Sequence, residues 1–422
     1  MTSFRFLHCA DLHLDSPLRG LEADPDAPVE TIRGATRQAL KNMVDHVLTE
    51  KLDFVVAAGD LYDGDWQDWR TGHFLVGQIA RLTREGIPFI AISGNHDAES
   101  VITKKLNLSG EKAHVFGSRK ASTHRLDHLP VSIHGQSFAH PAVTENIARD
   151  YPPPDPNRFN IGLLHSSVDG REGHAWYAPC STDQLRNHGY DYWALGHVHQ
   201  GEVLSRDPWI VFPGNLQGRH IRETGPKGAT VVTVTDGKVV DAVSLPFDTV
   251  RWARILVPLP EDADEEAALV LVRAALNAEL GRAEGRLLAV RVILSGACAA
   301  HDTFSRDLGA LREKIRGEAL SAAGPAMIWT ETIDIATKPL AKKTVQGERA
   351  DAVTHLLQAL ETTGGADLME NVRAYAAAML DRATFLKQMP GDPHAAVEAA
   401  SGTLPDDLLR RARDLLLGSL ST

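Results

Sequence analysis

Side chains able to bind a metal ion occur between positions 11 and 199, and each comes at or just after an apolar segment. The segments FRFLHCA, FVVAAG, FIAISG, NIGLL and YWALG have the length and composition of buried strands. The candidate ligands at their ends are Asp11, His13, Asp60, Asn95, His165, His197 and His199. In open α/β sheets, ligands gather outside the carboxyl ends of the strands. The strand ends therefore predict one shared metal site.

The spacing of these residues favours two neighbouring ions. Asp11 and His13 are two positions apart, and side chains at that spacing point the same way from an extended backbone. His197 and His199 repeat the spacing. Asp60 is the expected bridging ligand, because one carboxylate can bind two cations. We expect the first ion to be held by Asp11, His13, Asp60 and His199, and the second by Asp60, Asn95, His165 and His197.

The donor types narrow the choice of metal and of chemistry. The set combines oxygen and imidazole without thiolate, which favours manganese, iron or zinc over a structural zinc. The donor types alone leave the choice among manganese, iron, zinc and magnesium open. Two divalent ions roughly 3.5–4 Å apart support hydrolysis of a phosphodiester. Because two aspartates cancel only part of their charge, the loaded site would attract a phosphodiester anion.

Two residues beside Asn95 are candidates for proton chemistry. His96 adjoins a ligand but points elsewhere, and we expect it to act as the general acid that protonates the departing oxygen. We expect Asp97 to hold that imidazole by a hydrogen bond. Asp63, in GDLYD, is a candidate to orient a ligand or contact substrate, and a solvated loop acid is the alternative.

A basic loop, QGRHIRE, follows the last of these ligands. Its Arg219, His220 and Arg222 are candidates to grip DNA phosphates, a contact that fixes register without reading sequence. An ordinary solvent-exposed loop would contain the same residues, and the sequence leaves both interpretations open.

The motifs DLH, GDLYD, GNHD, LLHS and GHVH together resemble the signature of the calcineurin-like metallophosphoesterases. Within that family, HCADLHLDSPLRG and FPGNLQGRHIRE are similar to the bacterial SbcD/YhaO-type DNA repair exonucleases. The resemblance implies a dimanganese nuclease with a capping domain that works beside an SMC-like coiled-coil ATPase. Relatives often form homodimers, and the archaeal and eukaryotic ones carry histidine where this chain has Asp63.

The order of elements predicts an α/β protein with three parts. Residues 1–248 alternate strands and helices, with helices over 29–51 and 69–84, and are expected to form a four-layer α/β/β/α sandwich. Residues 249–340 restart the pattern as a small α+β capping domain, with helices over 264–280 and 302–320. Residues 341–422 are expected to be a linker and C-terminal helices, which either pack within the chain or dock a partner.

Composition excludes several classes of function. The 422 residues suffice for two or three domains, and the net charge of −11 argues against a protein that coats DNA non-specifically. No apolar stretch approaches the length of a membrane span, and the beginning of the chain lacks the pattern of a secretion signal. Three isolated cysteines form no CxxC pair, so we expect reduced thiols in a cytoplasmic protein without membrane attachment.

These observations predict a two-metal phosphodiesterase that acts on DNA, as duplex ends or single strands, and works as a manganese-dependent repair exonuclease. One alternative is a phosphatase or phosphodiesterase for small phosphoesters or nucleotides, because the metal motifs alone do not choose a substrate. A second alternative is a non-catalytic scaffold that binds DNA ends and keeps its metals for structure.

Overall fold

The structure is a computed structural model that describes residues 3–18, 21, 26–63, 69–99, 112–170, 176–323 and 327–340. The C-terminal helices predicted for residues 341–422 lie outside these residues. The strands are β1 (Ser3–Cys9), β2 (Phe54–Ala58), β3 (Phe89–Ile92), β4 (Ala113–Val115), β5 (Ser122–Leu126), β6 (Val131–Gly135), β7 (Phe159–His165), β8 (Tyr192–Gly196), β9 (Glu202–Arg206), β10 (Trp209–Phe212), β11 (Gly228–Thr235), β12 (Lys238–Pro246), β13 (Val250–Pro258), β14 (Leu287–Ala297) and β15 (Ile328–Lys338). The helices are α1 (Val29–Glu50), α2 (Trp69–Arg84), α3 (Asn95–Glu99), α4 (Thr182–Arg186), α5 (Glu265–Ala283), α6 (His301–Arg306) and α7 (Leu308–Ala323).

Two six-stranded sheets contain the strands that precede the candidate ligands. Their strand orders are β12-β11-β1-β2-β3-β4 and β5-β6-β7-β8-β10-β9. Strands β1 to β4 pair in parallel, as do β6, β7 and β8. In the first sheet Cys9 lies opposite Ala57, and in the second His165 lies opposite Gly196. This register brings the carboxyl ends of adjacent strands to the same level, so the residues that follow them are neighbours.

The core between the two sheets explains why the central strands read as continuous apolar runs. The rings of Phe6 and Phe54 stack with their centroids 4.9 Å apart, and Phe6 meets the ring of Tyr192 edge-on at 5.3 Å. Phe6 and Phe54 belong to the first sheet and Tyr192 to the second, so both sheets bury apolar side chains in one cluster. Strands covered on both faces need no polar alternation.

Helices cover the outer faces of the sandwich. Leu40 and Met43 of α1 share a buried cluster with Leu75 of α2 and with residues of the first sheet. On the second sheet, the outer cluster joins Leu185 of α4 to Trp193 of β8. The predicted α/β class and the layered arrangement of sheets and helices are confirmed.

The hairpin and helix boundaries follow local chemistry. Strands β11 and β12 turn at Asp236 and Gly237, which have φ angles of 50° and 73°, in the region that such a turn requires. The single helix predicted over 302–320 is wrong, because α6 and α7 are separated at Asp307. The Asp307 backbone is non-helical, and its carboxylate accepts the N–H of Ala310 at 2.8 Å, as an N-terminal cap does.

The chain divides into two compact units. The first comprises the described parts of Met1–Arg254, Glu279–Arg291 and Ala323–Glu331, and it contains the candidate metal ligands. The second comprises Ile255–Ala278, Val292–Ala322 and the described part of Thr332–Thr422. Strands β13, β14 and β15 form a three-stranded sheet in that order. None of the helices in the described part of the chain is both long enough and apolar enough to span a bilayer.

Candidate metal centre

The first group of candidate ligands lies after β1 and β8. One ligand atom from each of Asp11, His13 and His199 lies within 4.8 Å of the others. The two Nε2 atoms of His13 and His199 are 3.1 Å apart, and Nε2 of His199 is 3.9 Å from Oδ1 of Asp11. Asp11 and His13 therefore present their donor atoms to His199, which follows them by more than 180 positions in the sequence.

The hydrogen bonds of these imidazoles favour a proton on Nδ1 of each ring. Nδ1 of His13 lies 3.1 Å from Oδ1 of Asp63, and Nδ1 of His199 lies 2.7 Å from Oε1 of Glu223. Burial opposes ionisation of both acids, but nearby histidines and Arg219 hold the pKa of each carboxyl well below its usual value. Both acids are therefore acceptors, and both Nδ1 atoms donate.

It follows that both Nε2 atoms present lone pairs across a 3.1 Å gap. Two acceptors so close repel each other unless a cation lies between or beside them. Burial and the charge of Arg219 lower the pKa of His13 to about 3, so this imidazole is neutral near pH 7, as a metal ligand must be. The residues present therefore fit a divalent ion, and the carboxylate partners are the outer contacts that orient ligating histidines.

Asp60 lies between this group and the next. Its Oδ2 is 3.8 Å from Nε2 of His13 and 3.4 Å from Nε2 of His165. Asp11, Asp60 and His165 also place one ligand atom each within 4.8 Å of one another. A carboxylate that faces histidines of both groups has the position of a bridging ligand.

His165 shows that this second group also favours positive charge. Its Nδ1 lies 2.9 Å from the carbonyl of Ala58, and its Nε2 faces Oδ1 of Asn95 at 3.0 Å. Burial alone would lower the pKa of His165, but the Asp60 carboxylate and Asp11 raise it to about 9. The carboxylates of Asp60 and Asp11 would stabilise a positive charge at Nε2 of His165, whether a proton or a metal ion supplies it.

His197 takes part through both backbone and ring. Its N–H donates to the two carboxylate oxygens of Asp11 at 3.1 and 3.0 Å. Its imidazole lies 5.3 Å from the ring of His165, between centroids. The structure thus gathers all seven candidate ligands at the ends of β1, β2, β3, β7 and β8.

Several of these ligands have left-handed backbones. The φ angles are 51° at Asp11, 41° at His13, 51° at Asp60 and 100° at His197. Non-glycine residues rarely adopt such angles, and each costs on the order of 1–3 kcal/mol unless the surroundings impose it. Strained backbones of this kind often occur at functional sites.

Two glycines make room for the ligands. A Cβ on Gly59 would lie 2.6 Å from Nδ1 of His165, and Gly59 also has a φ of 94°. A Cβ on Gly94 would lie 2.3 Å from Oδ1 of Asp60. A side chain at Gly59 of the GD motif or at Gly94 of the GN motif would therefore occupy space that the candidate ligands fill.

His96 stands at the open side of the centre. Its side chain is 37% exposed, and its Nδ1 lies 3.2 Å from Oδ1 of Asp63. Its ring centroid is 4.8 Å from that of His13. One carboxylate, Asp63, thus contacts both a candidate ligand and the candidate general acid.

Asp97 has a different set of partners from the one expected. Its buried carboxylate accepts the N–H groups of Leu61, Tyr62 and Gly94 at 3.1, 2.9 and 2.9 Å. Burial raises the pKa of Asp97 to about 6. The residue ties the loop after β2 to the start of α3, while Asp63 is the carboxylate beside His96.

The basic loop is partly turned inward. Arg219 is largely buried, with Nη1 3.4 Å from Oδ1 of Asp63 and Nη2 3.2 Å from Oε1 of Glu223. His220 and Arg222 are exposed. Arg219 is therefore placed to hold the acids that orient His13 and His199, and the two exposed residues are the ones that can reach a ligand in solvent.

Reasoning from the sequence missed Glu223 and Lys227. Besides His199, Glu223 binds Nδ2 of Asn215 at 2.9 Å and the N–H of Arg219 at 2.7 Å. Nζ of Lys227 donates to the carbonyl of His199 at 2.8 Å. Glu223 ends the motif QGRHIRE, four residues after Arg219, but that spacing alone does not reveal its histidine partner.

A two-sheet sandwich that collects acids and imidazoles at its strand ends defines a metal-dependent phosphoesterase. Family models agree: the calcineurin-like phosphoesterase model matches residues 4–201, and the model of the middle domain of metallophosphoesterase YhaO matches residues 252–338. The chain belongs to the calcineurin-like metallophosphoesterase family, with the domain make-up of its YhaO type.

Two related sequences illustrate the relationship. The uncharacterized metallophosphoesterase YhaO of Bacillus subtilis (strain 168) is 34% identical over 332 residues, which cover 74% of this chain and 78% of that protein. The DNA double-strand break repair protein Mre11 of Methanopyrus kandleri is 27% identical over 289 residues, which cover 60% of this chain and 58% of that protein. Among solved structures, a dimetal phosphatase from Danio rerio is 13% identical, covers 58% of this chain and 99% of that chain, and has a TM-score of 0.35.

Proposed function

We propose that this protein is a two-metal phosphodiesterase that hydrolyses DNA, and that it works as a manganese-dependent repair exonuclease. The observation that carries the proposal is the pair of facing imidazole nitrogens of His13 and His199 beside a carboxylate that also faces His165. Such a donor set suits divalent cations, and it lies beside a histidine that solvent can reach.

Two divalent ions bound here would supply Lewis acidity at the phosphodiester. The chain itself supplies the proton. Because Nδ1 of His96 lies 3.2 Å from Oδ1 of Asp63, Nε2 is the nitrogen left to face a substrate. In this proposal His96 donates the Nε2 proton to the departing oxygen, and Asp63 and Arg219 act on it only as positioning residues.

The proposal of DNA as substrate is supported by similarity. The relationship to a DNA double-strand break repair protein covers 60% of the chain, more than the phosphoesterase model alone. A small phosphoester does not require the additional domain that the YhaO model matches at 252–338. His220 and Arg222, exposed on the loop behind His199, are proposed to contact backbone phosphates.

We further propose that the three parts of the chain have the separate roles that the family implies. Residues 1–248 would carry out catalysis, 249–340 would shape access for DNA, and 341–422 would dock an SMC-like coiled-coil ATPase, with a homodimer as the working form. All three cysteines are free thiols, as a reduced, cytoplasmic setting requires.

The test is a nuclease assay on end-labelled duplex and single-stranded DNA, with manganese, magnesium or a chelator. We expect cleavage with manganese, none with chelator, and loss of cleavage in Asp60→Asn. Asp127→Asn changes an exposed aspartate and is the matched control. Hydrolysis of bis-p-nitrophenyl phosphate without any cleavage of DNA would favour the small-substrate alternative. Metal binding without hydrolysis of either would favour the scaffold.

A further inference from the structure

Trp176 is an exposed aromatic side chain next to the metal centre. It is 66% exposed, whereas tryptophan is highly buried on average. Its neighbour Tyr177 lies with its ring centroid 5.4 Å from that of His197. Consecutive Cα atoms are about 3.8 Å apart, so the backbone of Trp176 adjoins a residue whose ring contacts that of a candidate ligand.

The backbone that carries Trp176 is anchored to the strand that ends at His165. The carbonyl of Tyr177 accepts the N–H of Ser167 at 3.0 Å and its hydroxyl at 3.2 Å. The carbonyl of Ala178 accepts the hydroxyl of Ser166 at 2.8 Å. The two residues that follow Trp176 are therefore tied by hydrogen bonds to the segment directly after His165.

One face of the indole is supported by backbone. A Cβ on Gly170 would lie 2.7, 3.1 and 3.2 Å from Cζ2, Cη2 and Cε2 of Trp176. Distances this similar to three bonded atoms arise when a group approaches over the ring and not at its edge. Gly170 thus lies under the six-membered ring, and an indole covered on one face and 66% exposed offers its other face to solvent.

We propose that Trp176 is a stacking platform for an unpaired nucleobase of the strand being hydrolysed at the adjoining metal centre. The proposal rests on the proposed function and adds the class of substrate: single strands or frayed ends. A nucleobase supplies a flat π face, and stacking on an aromatic side chain is tolerant of sequence. A base inside an intact duplex has both faces covered by its neighbours, so the interior of a duplex is excluded and we assign this place to an unpaired base of a single strand or frayed end.

The magnitude follows from known base stacking. Removal of an aromatic platform weakens binding by about 5- to 150-fold per base. The effect belongs to the base and not to the phosphate. Trp176→Ala should therefore lower kcat/KM for an ordinary strand far more than for a strand without bases at its ends.

The experiment compares two single-stranded oligonucleotides, identical except that one carries abasic nucleotides at both ends. The full chain with manganese is assayed on both, and the readout is the ratio of the two kcat/KM values. We expect Trp176→Ala to lower the ratio of ordinary to abasic substrate at least fivefold, and Trp176→Phe to keep part of it. Trp69→Ala is the control, because Trp69 is 45% exposed but lies at the start of α2, with His73 as its aromatic neighbour.

A ratio in Trp176→Ala equal to that of the unaltered protein would overturn the stacking site while leaving the nuclease proposal intact. An equal fall in Trp69→Ala would also overturn it, because the effect would then belong to exposed tryptophans in general. If the unaltered protein cleaves neither oligonucleotide yet hydrolyses bis-p-nitrophenyl phosphate, the proposed DNA substrate is wrong, and the base site is wrong with it.

Discussion

Substitution of Gly94 by alanine tests whether the centre depends on the close approach seen in the structure. The added Cβ would lie 2.3 Å from Oδ1 of Asp60 and 2.8 Å from the backbone nitrogen of the same residue. It would also lie 2.8 Å from Cε1 of His165. Because backbone as well as side chain is in the way, rotation of the Asp60 side chain alone cannot relieve the overlap.

The size of the effect can be worked from these distances. An ordinary contact begins near 3.4 Å, so the carboxylate oxygen must move by about 1 Å. A displacement of that size in a catalytic group lowers the rate by about 100-fold. Overpacking of a buried site costs a further ~1–3 kcal/mol of stability. We therefore expect Gly94→Ala to lose about two orders of magnitude in kcat/KM and to bind manganese more weakly.

The assay is hydrolysis of bis-p-nitrophenyl phosphate, with bound manganese measured in the same preparation. Gly77→Ala is the matched control: Gly77 is exposed within α2, and a Cβ there meets nothing within 4 Å. This control should keep its activity and gain roughly 0.5–1 kcal/mol from better helix propensity. Activity of Gly94→Ala within threefold of the unaltered protein, with full manganese content, would refute the proposed role of Asp60.

Two further substitutions test other parts of the structure. Glu223→Gln should weaken manganese binding by about 10- to 100-fold, because the acid that orients His199 is lost. The control, Glu145→Gln at an exposed position, should bind manganese as the unaltered protein does. Equal affinities of the two variants, measured by titration with manganese, would contradict this prediction. Burial lowers the pKa of His8 to about 3 in the folded protein. In the unfolded chain the ring has its ordinary pKa of 6.5 and binds a proton below that pH. The free energy of unfolding should therefore fall as the pH falls below 6.5. From pH 7.5 to pH 5 the unaltered, chelated protein should lose about 2 kcal/mol more than His8→Gln, and parallel loss in chemical unfolding of both would show that His8 is not buried as a neutral ring.

Much of the fold could be predicted from local pattern. Strands buried on both faces read as continuous apolar runs, and α2 begins and ends where its periodicity does. The failure at 302–320 came from Asp307, whose carboxylate caps a new helix that hydrophobic periodicity does not reveal. The candidate metal ligands could also be named from the sequence, because polar residues at the ends of such strands have few structural reasons to be acids and imidazoles.

The partners of those ligands were settled only by three-dimensional packing. The sequence left the role of Asp63 open, whereas in the structure its carboxylate contacts both His13 and His96. Asp97 adjoins His96 in sequence but turns to backbone N–H groups, and Arg219 faces acids instead of solvent. Chain order decides which side chains follow a strand, whereas their rotamers and proton positions depend on residues brought alongside from distant strands. The residue types in the sequence therefore determine which chemistry is available at this sheet edge. The distances and orientations that this chemistry needs are determined by the packing of the two sheets.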